Sequence, residues 1–240
     1  MRGIMIINPL IVIPSPRDLP LVKDALDKIT EYDKLWVKYS PEHVTYPIIR
    51  DEFLKKKDYY THLVICPDDL LIDDKAKLEL LFKDYDSFPE QERDKIIMSG
   101  YCNVDTSENS KYANVTQYDV TNERHGRTYQ WFTLQELEDK TSDFLIPVKF
   151  SGFALMVIPS SAIEQIPFRN DSSTGMFDAL GCCTDVVFCN DAISMGYKIY
   201  VDSRVRLQHL KQSDQNTSEL IQNNPKMEDD WKFYYEYKRP

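Results

Sequence analysis

The sequence predicts an α/β protein in which a mixed sheet is flanked by helices in one compact domain. From residue 10 to residue 85, short β-branched runs alternate with amphipathic segments of helix length, which is the pattern of consecutive βα units. The chain has 240 residues and is 42% hydrophobic, so it can bury one full core. A single domain is therefore the first expectation.

The first half of the chain is expected to form three strands separated by helices. We expect strands at residues 10–14, 34–39 and 61–66, and helices at 18–29, 47–57 and about 73–82. Asp18 and Pro20 are typical of a helix start, as a cap and a first-turn residue, and Pro47 is expected to open the second helix. A βαβαβ unit of this kind places its ligand-binding loops at the carboxyl ends of its strands.

The second half of the chain is less regular. The sequence indicates a strand at 95–104, a loop or hairpin over 105–130, two strands and a short helix over 144–166, and a helix, a strand, a turn and a strand over 184–211. Gly196 is expected to end the helix as its C-terminal cap. The domain is expected to span residues 1–211, and residues 212–240, which end in "WKFYYEYKRP", are expected to pack on it as a tail.

Composition excludes several classes of function. With 29 Lys+Arg against 39 Asp+Glu, the formal net charge of -10 argues against nucleic acid as a partner. No apolar run approaches the roughly 20 residues of a membrane helix and no signal peptide is indicated, so we expect a cytoplasmic protein without a transmembrane segment. The five cysteines lack CxxC spacing, and the P-loop, dinucleotide-binding, zincin and α/β-hydrolase motifs do not occur. The oligomeric state stays open.

Two adjacent aspartates follow the third strand. The stretch "HLVICPDDLLI" places Asp68 and Asp69 at the carboxyl end of that strand, where parallel sheets bind ligands. Hard carboxylate oxygens at an open site suit a divalent cation that carries a diphosphate. Paired aspartates are also common in turns and helix caps, so that interpretation stays open beside the metal site.

A third acid, Asp185, lies in the first turn of the helix that Thr184 can cap. The helix dipole stabilises a carboxylate at this position and is expected to lower its pKa. Such a group suits a base that must be ionised at neutral pH. A purely structural first-turn acid is the alternative.

His209 ends the strand "RVRLQHL" and could be the single nitrogen ligand of a Mn²⁺ site or an ordinary surface histidine. Arg204 and Arg206 share one face of the same strand. They could hold a phosphate or form a plain surface pair.

Four segments, taken in order, resemble the family 2-like glycosyltransferases of the GT-A fold. They are "IVIPSPRDLPLVKDALDKI", "RDEFLKKKDYYTHLVICPDDLL", "FSGFALMVIPSSAIEQIPF" and "TDVVFCNDAISMGYKIYVDSRVRLQH". The last is the most specific, because it is similar to the family's pattern E-D-x-D-(F/L)-C, followed by G-Y-(K/R)-(I/V) and a late histidine. The resemblance covers about residues 10 to 211.

The resemblance implies transfer of a sugar from a nucleotide-diphosphate donor, with a UDP-sugar expected, to a hydroxyl acceptor on a glycan or on a lipid- or protein-linked sugar. It implies a divalent cation, Mn²⁺ or Mg²⁺, and inversion by a single displacement. It also implies a GT-A-type Rossmann-like mixed sheet, with a donor half over about residues 1–105 and an acceptor half over about 106–211.

Carried over by position, the resemblance makes Asp185 the general base. It makes Asp68, Asp69 and His209 the metal ligands, with Asp68 also contacting the donor. Further positions are implied beside the nucleotide, the donor sugar or the acceptor: Pro14, Ser15, Arg17, Lys38, Arg50, Gly152 and Phe153.

The sequence departs from the family pattern at the acids. Cys66, or Pro67 after a shift of one residue, stands where the first acid of D-x-D is expected, and Thr184 and Val187 flank Asp185 where the family has further acids. The second strand also lacks the acid that often binds the nucleoside. A nucleotidyltransferase or sugar-nucleotide enzyme on a similar fold is one alternative, although "IPSPRDLP" is not the glycine-rich phosphate loop such enzymes use. A noncatalytic GT-A-like binding module is the other.

Overall fold

The computed structural model describes residues 7–15, 19–38, 40, 42–104, 111–116, 131–140, 142–169, 184–210 and 234–238. These residues form one domain in which helices flank a mixed sheet, and the predicted GT-A-like fold class is confirmed. The main sheet contains, in spatial order, β13 (Tyr234–Lys238), β2 (Asp33–Lys38), β1 (Pro9–Ser15), β3 (His62–Ile65), β10 (Met156–Pro159), β5 (Ile96–Tyr101), β11 (Lys198–Arg206) and β8 (Leu145–Val148).

Two small sheets and seven helices complete the described structure. The small sheets pair β12 (Gln208–His209) with β4 (Leu70–Leu71), and join β7 (Trp131–Thr133), β6 (Tyr112–Thr116) and β9 (Phe150–Ser151). The helices described are α1 (Pro20–Asp27), α2 (Glu42–Leu54), α3 (Ala76–Ser87), α4 (Glu90–Arg93), α5 (Leu134–Glu138), α6 (Ser160–Gln165) and α7 (Thr184–Ser194).

The central strand β1 is buried on both faces, which explains its nearly continuous apolar sequence. Leu10 and Val12 point into a core shared with α2, α6 and α7. Ile11 and Ile13 point into the opposite core, which contains residues of α1 and α3. Because side chains alternate along a strand, one apolar run serves both helical layers.

The strand order reverses at β1, and in open α/β sheets such a reversal leaves a crevice between the adjacent loops. The strands β2, β1, β3, β5 and β11 run parallel, whereas β10, β8 and β13 run antiparallel to their neighbours. From β1 the chain moves to β2 on one side of it and then to β3 on the other. Ligands of open α/β sheets bind at such a reversal, outside the carboxyl ends of the strands.

The prediction that Pro47 opens the second helix is wrong, because α2 begins at Glu42 and contains Pro47 in its interior. Proline lacks an N–H and removes one intrahelical hydrogen bond. Buried Tyr46, Ile49 and Phe53 hold this helix against the sheet. Tertiary packing therefore outweighs the local preference for an earlier break.

The first helix begins at Pro20, and Leu19 occupies its N-cap position. Asp18, the expected cap, lies outside the described residues. No helix in the described ranges is both long and apolar enough to cross a membrane.

Gly196 ends α7 as expected. Its backbone has a φ of 82°, a left-handed conformation that glycine adopts without a steric penalty. The N–H of Tyr197 donates to the carbonyl of Ala192 at 2.9 Å, and the N–H of Gly196 donates to the carbonyl of Ile193 at 2.9 Å. These two hydrogen bonds form a Schellman cap, from which the chain enters β11.

The described part of the C-terminal tail is β13, which pairs with β2 at the edge of the sheet. Tyr234 lies opposite Lys38 in this pairing. Residues 211–233 lie outside the described residues.

Candidate functional site

At the carboxyl ends of β1 and β3, a hydrogen bond joins the side chains of Ser15 and Asp68. The Ser15 hydroxyl donates to Oδ2 of Asp68 at 3.1 Å, and the Asp68 N–H donates to the carbonyl of Pro14 at 3.2 Å. The Asp68 residue is completely buried. Asp68 therefore ties the loop after β3 to the end of β1, with Lys38 beside Ser15 in the β1–β2 register.

The structure brings Asp69 and His209 together although 140 residues separate them in the sequence. The strand pairing of β4 with β12 sets His209 opposite Leu70, and the Leu210 N–H donates to the Asp69 carbonyl at 2.6 Å. As a result, Nε2 of His209 lies 3.0 Å from Oδ2 of Asp69. Their side chains are 12% and 10% exposed, so the pair keeps a small contact with solvent.

The second ring nitrogen of His209 determines what Nε2 can do. Nδ1 lies 2.9 Å from the backbone carbonyl of Asn103, and because a carbonyl only accepts, Nδ1 carries the hydrogen of this bond. In a neutral ring, Nε2 then presents a lone pair to the Asp69 carboxylate. Two acceptor atoms 3.0 Å apart require a proton or a metal ion between them.

The donor set at this position fits a hard divalent cation. Adjacent ligand atoms of an octahedral site with bonds of about 2.1 Å are about 3 Å apart, which is the separation of the His209 and Asp69 atoms. The hydrogen bond from Nδ1 to a carbonyl is the usual way in which a metal-bound histidine is oriented. Within the described ranges, however, no group of three His, Cys, Asp or Glu side chains could hold a metal. The protein thus offers a two-ligand set here, with the Asp68 carboxylate bonded to Ser15 instead.

Cys66, which the gapless form of the resemblance places at the first acid of D-x-D, is a core residue. It is fully buried in the core that contains α1 and α3. Burial raises the pKa of its thiol above the ordinary value, and the nearby Asp69 and Asp68 carboxylates raise it further. A neutral buried thiol is a poor ligand for Mn²⁺ or Mg²⁺, which prefer oxygen.

Asp185 lies in the first turn of α7, where its Oδ1 accepts a hydrogen bond from the Val186 N–H at 2.8 Å. The residue keeps partial exposure, whereas its carboxyl group is surrounded by protein. Desolvation raises its pKa to about 6, and the hydrogen bonds from the backbone oppose that rise. The expectation of a lowered pKa is wrong, because burial outweighs the helix start. A carboxyl group with this pKa is about 90% ionised at pH 7 and suits general base catalysis.

Gly152 and Phe153 are held by different contacts. Gly152 donates its N–H to the Asn114 carbonyl at 2.9 Å, and a Cβ at Gly152 would lie only 2.6 Å from the Asn114 amide nitrogen. Phe153 packs between aromatic rings in the core, with centroid distances of 5.0 Å to Tyr46 and 6.0 Å to Phe188. The structure therefore places Phe153 in the core rather than at an exposed donor surface.

Arg50 is not brought to this crevice. Its guanidinium donates to the carbonyls of Ile163 and Glu164, each at 2.9 Å, near the C-terminal end of α6. This helix follows β10, whose last residue pairs with the first residue of β3. Arg50 therefore lies at the opposite edge of the sheet, where helix carbonyls attract a cation. Arg17 lies outside the described residues.

Sequence reasoning missed Asn103, which lies just beyond β5 and holds His209 through its carbonyl. Its position after a parallel strand was the available signal. The phosphate interpretation of the two arginines gains no support, because each binds acids of the protein. Arg204 pairs with Asp202 and Asp84, and Arg206 pairs with Glu138.

Comparison with known proteins supports the fold. The sequence matches no protein-family model and no curated protein. The crystal structure of A197 from STIV matches with a TM-score of 0.50 and 16% sequence identity, covering 87% of this chain and 97% of that chain. At this level of identity the likeness shows that the two chains share a fold.

Proposed function

We propose that this protein is a metal-dependent glycosyltransferase that moves a sugar from a UDP-sugar to a hydroxyl acceptor with inversion. The observation that supports this best is the Asp69–His209 pair at the carboxyl edge of a GT-A-like sheet. The Nδ1 hydrogen bond to Asn103 leaves Nε2 and a carboxylate oxygen facing one another as ligands.

In this proposal Asp69 and His209 hold Mn²⁺ or Mg²⁺, which neutralises charge on the departing diphosphate when bound. Such cations are commonly held by one or two protein ligands together with substrate phosphates. The two-ligand set therefore predicts that Mn²⁺ and a nucleoside diphosphate strengthen each other's binding. Pro14, Ser15 and Lys38 border the nucleotide, and Asp68 supports them through its bond to Ser15.

Asp185 is the base in this proposal. Its carboxylate takes the proton of the acceptor hydroxyl as that oxygen attacks the anomeric carbon and the bond to the diphosphate breaks. The raised pKa of about 6 makes Asp185 a stronger base than an ordinary aspartate while leaving it mostly ionised at neutral pH. Burial thus favours this role.

Donor hydrolysis tests the proposal. The protein is incubated with UDP-glucose, UDP-galactose, UDP-N-acetylglucosamine or GDP-mannose, with Mn²⁺ or with EDTA, and the released nucleoside diphosphate is measured. We expect slow release from one UDP-sugar with Mn²⁺ and a rise in melting temperature with the same pair of ligands. If no donor is hydrolysed and none raises the melting temperature, the proposal is wrong.

A noncatalytic GT-A-like binding module is the second candidate. The buried Cys66 at the position of the first acid favours it, because this residue cannot add a carboxylate to the metal site. This candidate predicts a Mn²⁺-dependent rise in melting temperature without donor hydrolysis.

A further inference from the structure

The strand β11 contains a bulge shortly before His209. Residues Lys198–Val201 pair in register with Ile96–Ser99, and pairing resumes only at Arg206 with Tyr101. Five residue steps on β11 therefore span two steps on β5. The excess chain, residues 202–205, is displaced from the regular ladder, and bulges of this kind redirect the chain that follows.

Gly100 provides the space for the bulge. A Cβ on Gly100 would lie 2.7 Å from the Val205 carbonyl oxygen, 2.8 Å from Cγ1 of Val205 and 3.2 Å from the Ala154 carbonyl oxygen. Two of these atoms belong to the backbone, which cannot move aside as a flexible side chain could. The Ala154 carbonyl is also fixed by the Gly100 N–H at 2.9 Å and the Ser99 hydroxyl at 3.1 Å. Only glycine fits here without displacing the bulge.

A cluster of charged groups holds the bulge from the other side. The Arg204 guanidinium binds both carboxylate oxygens of fully buried Asp202, at 3.0 and 2.9 Å. It also pairs with Asp84 of α3 and lies 3.4 Å from the ring centroid of Phe144. The bulge is thus attached to α3 and to the chain entering β8, and a bidentate guanidinium fixes orientation as well as distance.

Hydrogen bonds hold the chain that follows the bulge, and His209 lies three residues after Arg206, where pairing resumes. The Leu207 N–H donates to the Tyr101 carbonyl at 2.8 Å, and the Arg206 side chain donates to the Asn103 amide oxygen at 3.3 Å. The backbone carbonyl of the same Asn103 binds Nδ1 of His209. The place where β11 rejoins β5 therefore sets the position of β12 and the direction of the imidazole ring.

We infer that the β11 bulge, seated on Gly100 and clamped by Arg204 between Asp202 and Asp84, is a positioning device that aims Nε2 of His209 at Asp69. The contribution of the bulge to metal binding rests on the proposed function, whereas its effect on the orientation of the His209 imidazole does not. Gly100, Asp84 and Arg204 are positioning residues, since they act through the backbone that carries His209.

Two glycine variants test the inference, one at Gly100 on the neighbouring strand β5 and one at Gly196, just before β11 in the sequence. Gly100→Ala places a methyl group against the bulge, whereas Gly196→Ala meets no atom within 4 Å but is strained by its φ of 82°. Both are expected to lower stability, so Gly196→Ala is the matched control for a merely structural effect. The ring ¹⁵N chemical shifts of His209 are measured by NMR in metal-free protein, and binding of Mn²⁺ alone is measured by electron paramagnetic resonance.

We expect Gly100→Ala to shift the ring ¹⁵N signals of His209 away from those of the unaltered protein and to weaken Mn²⁺ binding at least about tenfold, in the range seen when the support of a metal ligand is removed. Gly196→Ala should keep both properties. If Gly100→Ala does not fold, Arg204→Lys, which keeps the charge but loses the bidentate contact, should shift the same signals. Unchanged His209 shifts in a folded Gly100→Ala or Arg204→Lys protein would overturn the inference. Absence of Mn²⁺ binding in the unaltered protein would count against the proposed function instead, and the NMR shifts would still decide the positioning role.

Discussion

Two regions of the described structure contain buried carboxylates whose partners differ. At the junction of α3 and β11, Asp84 and Asp202 bind the guanidinium of Arg204. At the carboxyl edge of the sheet, Asp69 faces an imidazole nitrogen. A bidentate guanidinium is a permanent cation and makes a closed structural cluster. An imidazole nitrogen can share a metal ion with a carboxylate, so the second region is suited to binding and the first to holding the fold.

The largest expected effect is at Asp185, in the first turn of α7. We expect Asp185→Asn to reduce sugar transfer by about 10³-fold or more, because the acceptor proton loses its base. The folded pKa of about 6 exceeds the ordinary value of 3.8, so the charged group destabilises the folded protein at pH 7. The variant should therefore be more resistant to urea, by about 1 to 2 kcal/mol.

Asp191→Asn is the control for this prediction, since Asp191 lies on the same helix and pairs with Arg169. Transfer by an Asp185→Asn enzyme at the unaltered rate would remove Asp185 from the mechanism.

The second largest expected effect distinguishes an acid that binds a metal from an acid that stabilises the fold. Asp69→Asn should lower Mn²⁺-dependent donor hydrolysis by about 10²-fold, because it removes a proposed metal ligand. Its free energy of unfolding should change by less than about 1 kcal/mol, because an amide can still hydrogen-bond to His209. Asp73→Asn, an exposed acid nearby, serves as the control. Calorimetry that shows equal Mn²⁺ affinity in both variants would contradict the metal site.

A substitution in the cluster of Arg204, Asp202 and Asp84 should instead change the free energy of unfolding. Arg204→Ala leaves the fully buried Asp202 carboxylate without its bidentate partner. Breaking such a pair is strongly destabilising, and we expect a loss of about 3 kcal/mol in the free energy of unfolding. Urea titration measures this loss. A change below about 0.5 kcal/mol, typical of a surface ion pair, would show that the cluster does not hold the fold.

The smallest expected effect is the pH dependence of the same cluster. Burial and the neighbouring Asp202 raise the pKa of Asp84 to about 7. Because the folded pKa exceeds the unfolded one, the favourable contribution is complete below about pH 4 and is lost as pH rises through 7.

Replacing the acid removes this loss. The difference in unfolding free energy between Asp84→Asn and the unaltered protein should therefore shift in favour of the variant by about 1 to 2 kcal/mol between pH 5 and pH 8. Thermal denaturation at several pH values measures it, with exposed Asp143→Asn as the control. A difference that is independent of pH would contradict the shifted pKa.

Much of the fold could be predicted because strand and helix periodicities are local. The strands β1, β2 and β3 and the cap at Gly196 follow from apolar runs and from a glycine after an amphipathic segment. The helix α2 shows where local rules fail. Its packing against the sheet outweighs the preference for Pro47 at a helix start.

The candidate site could be predicted only in part. Asp68 and Asp69 were found through their place after a strand, but the bond of Asp68 to Ser15 depends on the neighbour that β3 acquires in the sheet. The sequence positions of Arg50 and Phe153 did not indicate where their side chains lie in the fold. The sequence position of a charged or aromatic residue does not show at which edge of the sheet, or in which core, its side chain lies.

By itself, the sequence determined that this chain builds an α/β sheet and that acids follow its third strand, because both features are encoded within a few consecutive residues. Only the tertiary structure decided which acid meets His209 and which direction the pKa of Asp185 takes. The first depends on the pairing of β4 with β12 across 140 residues. The second depends on desolvation, which is a property of the surrounding protein rather than of the helix that carries the acid.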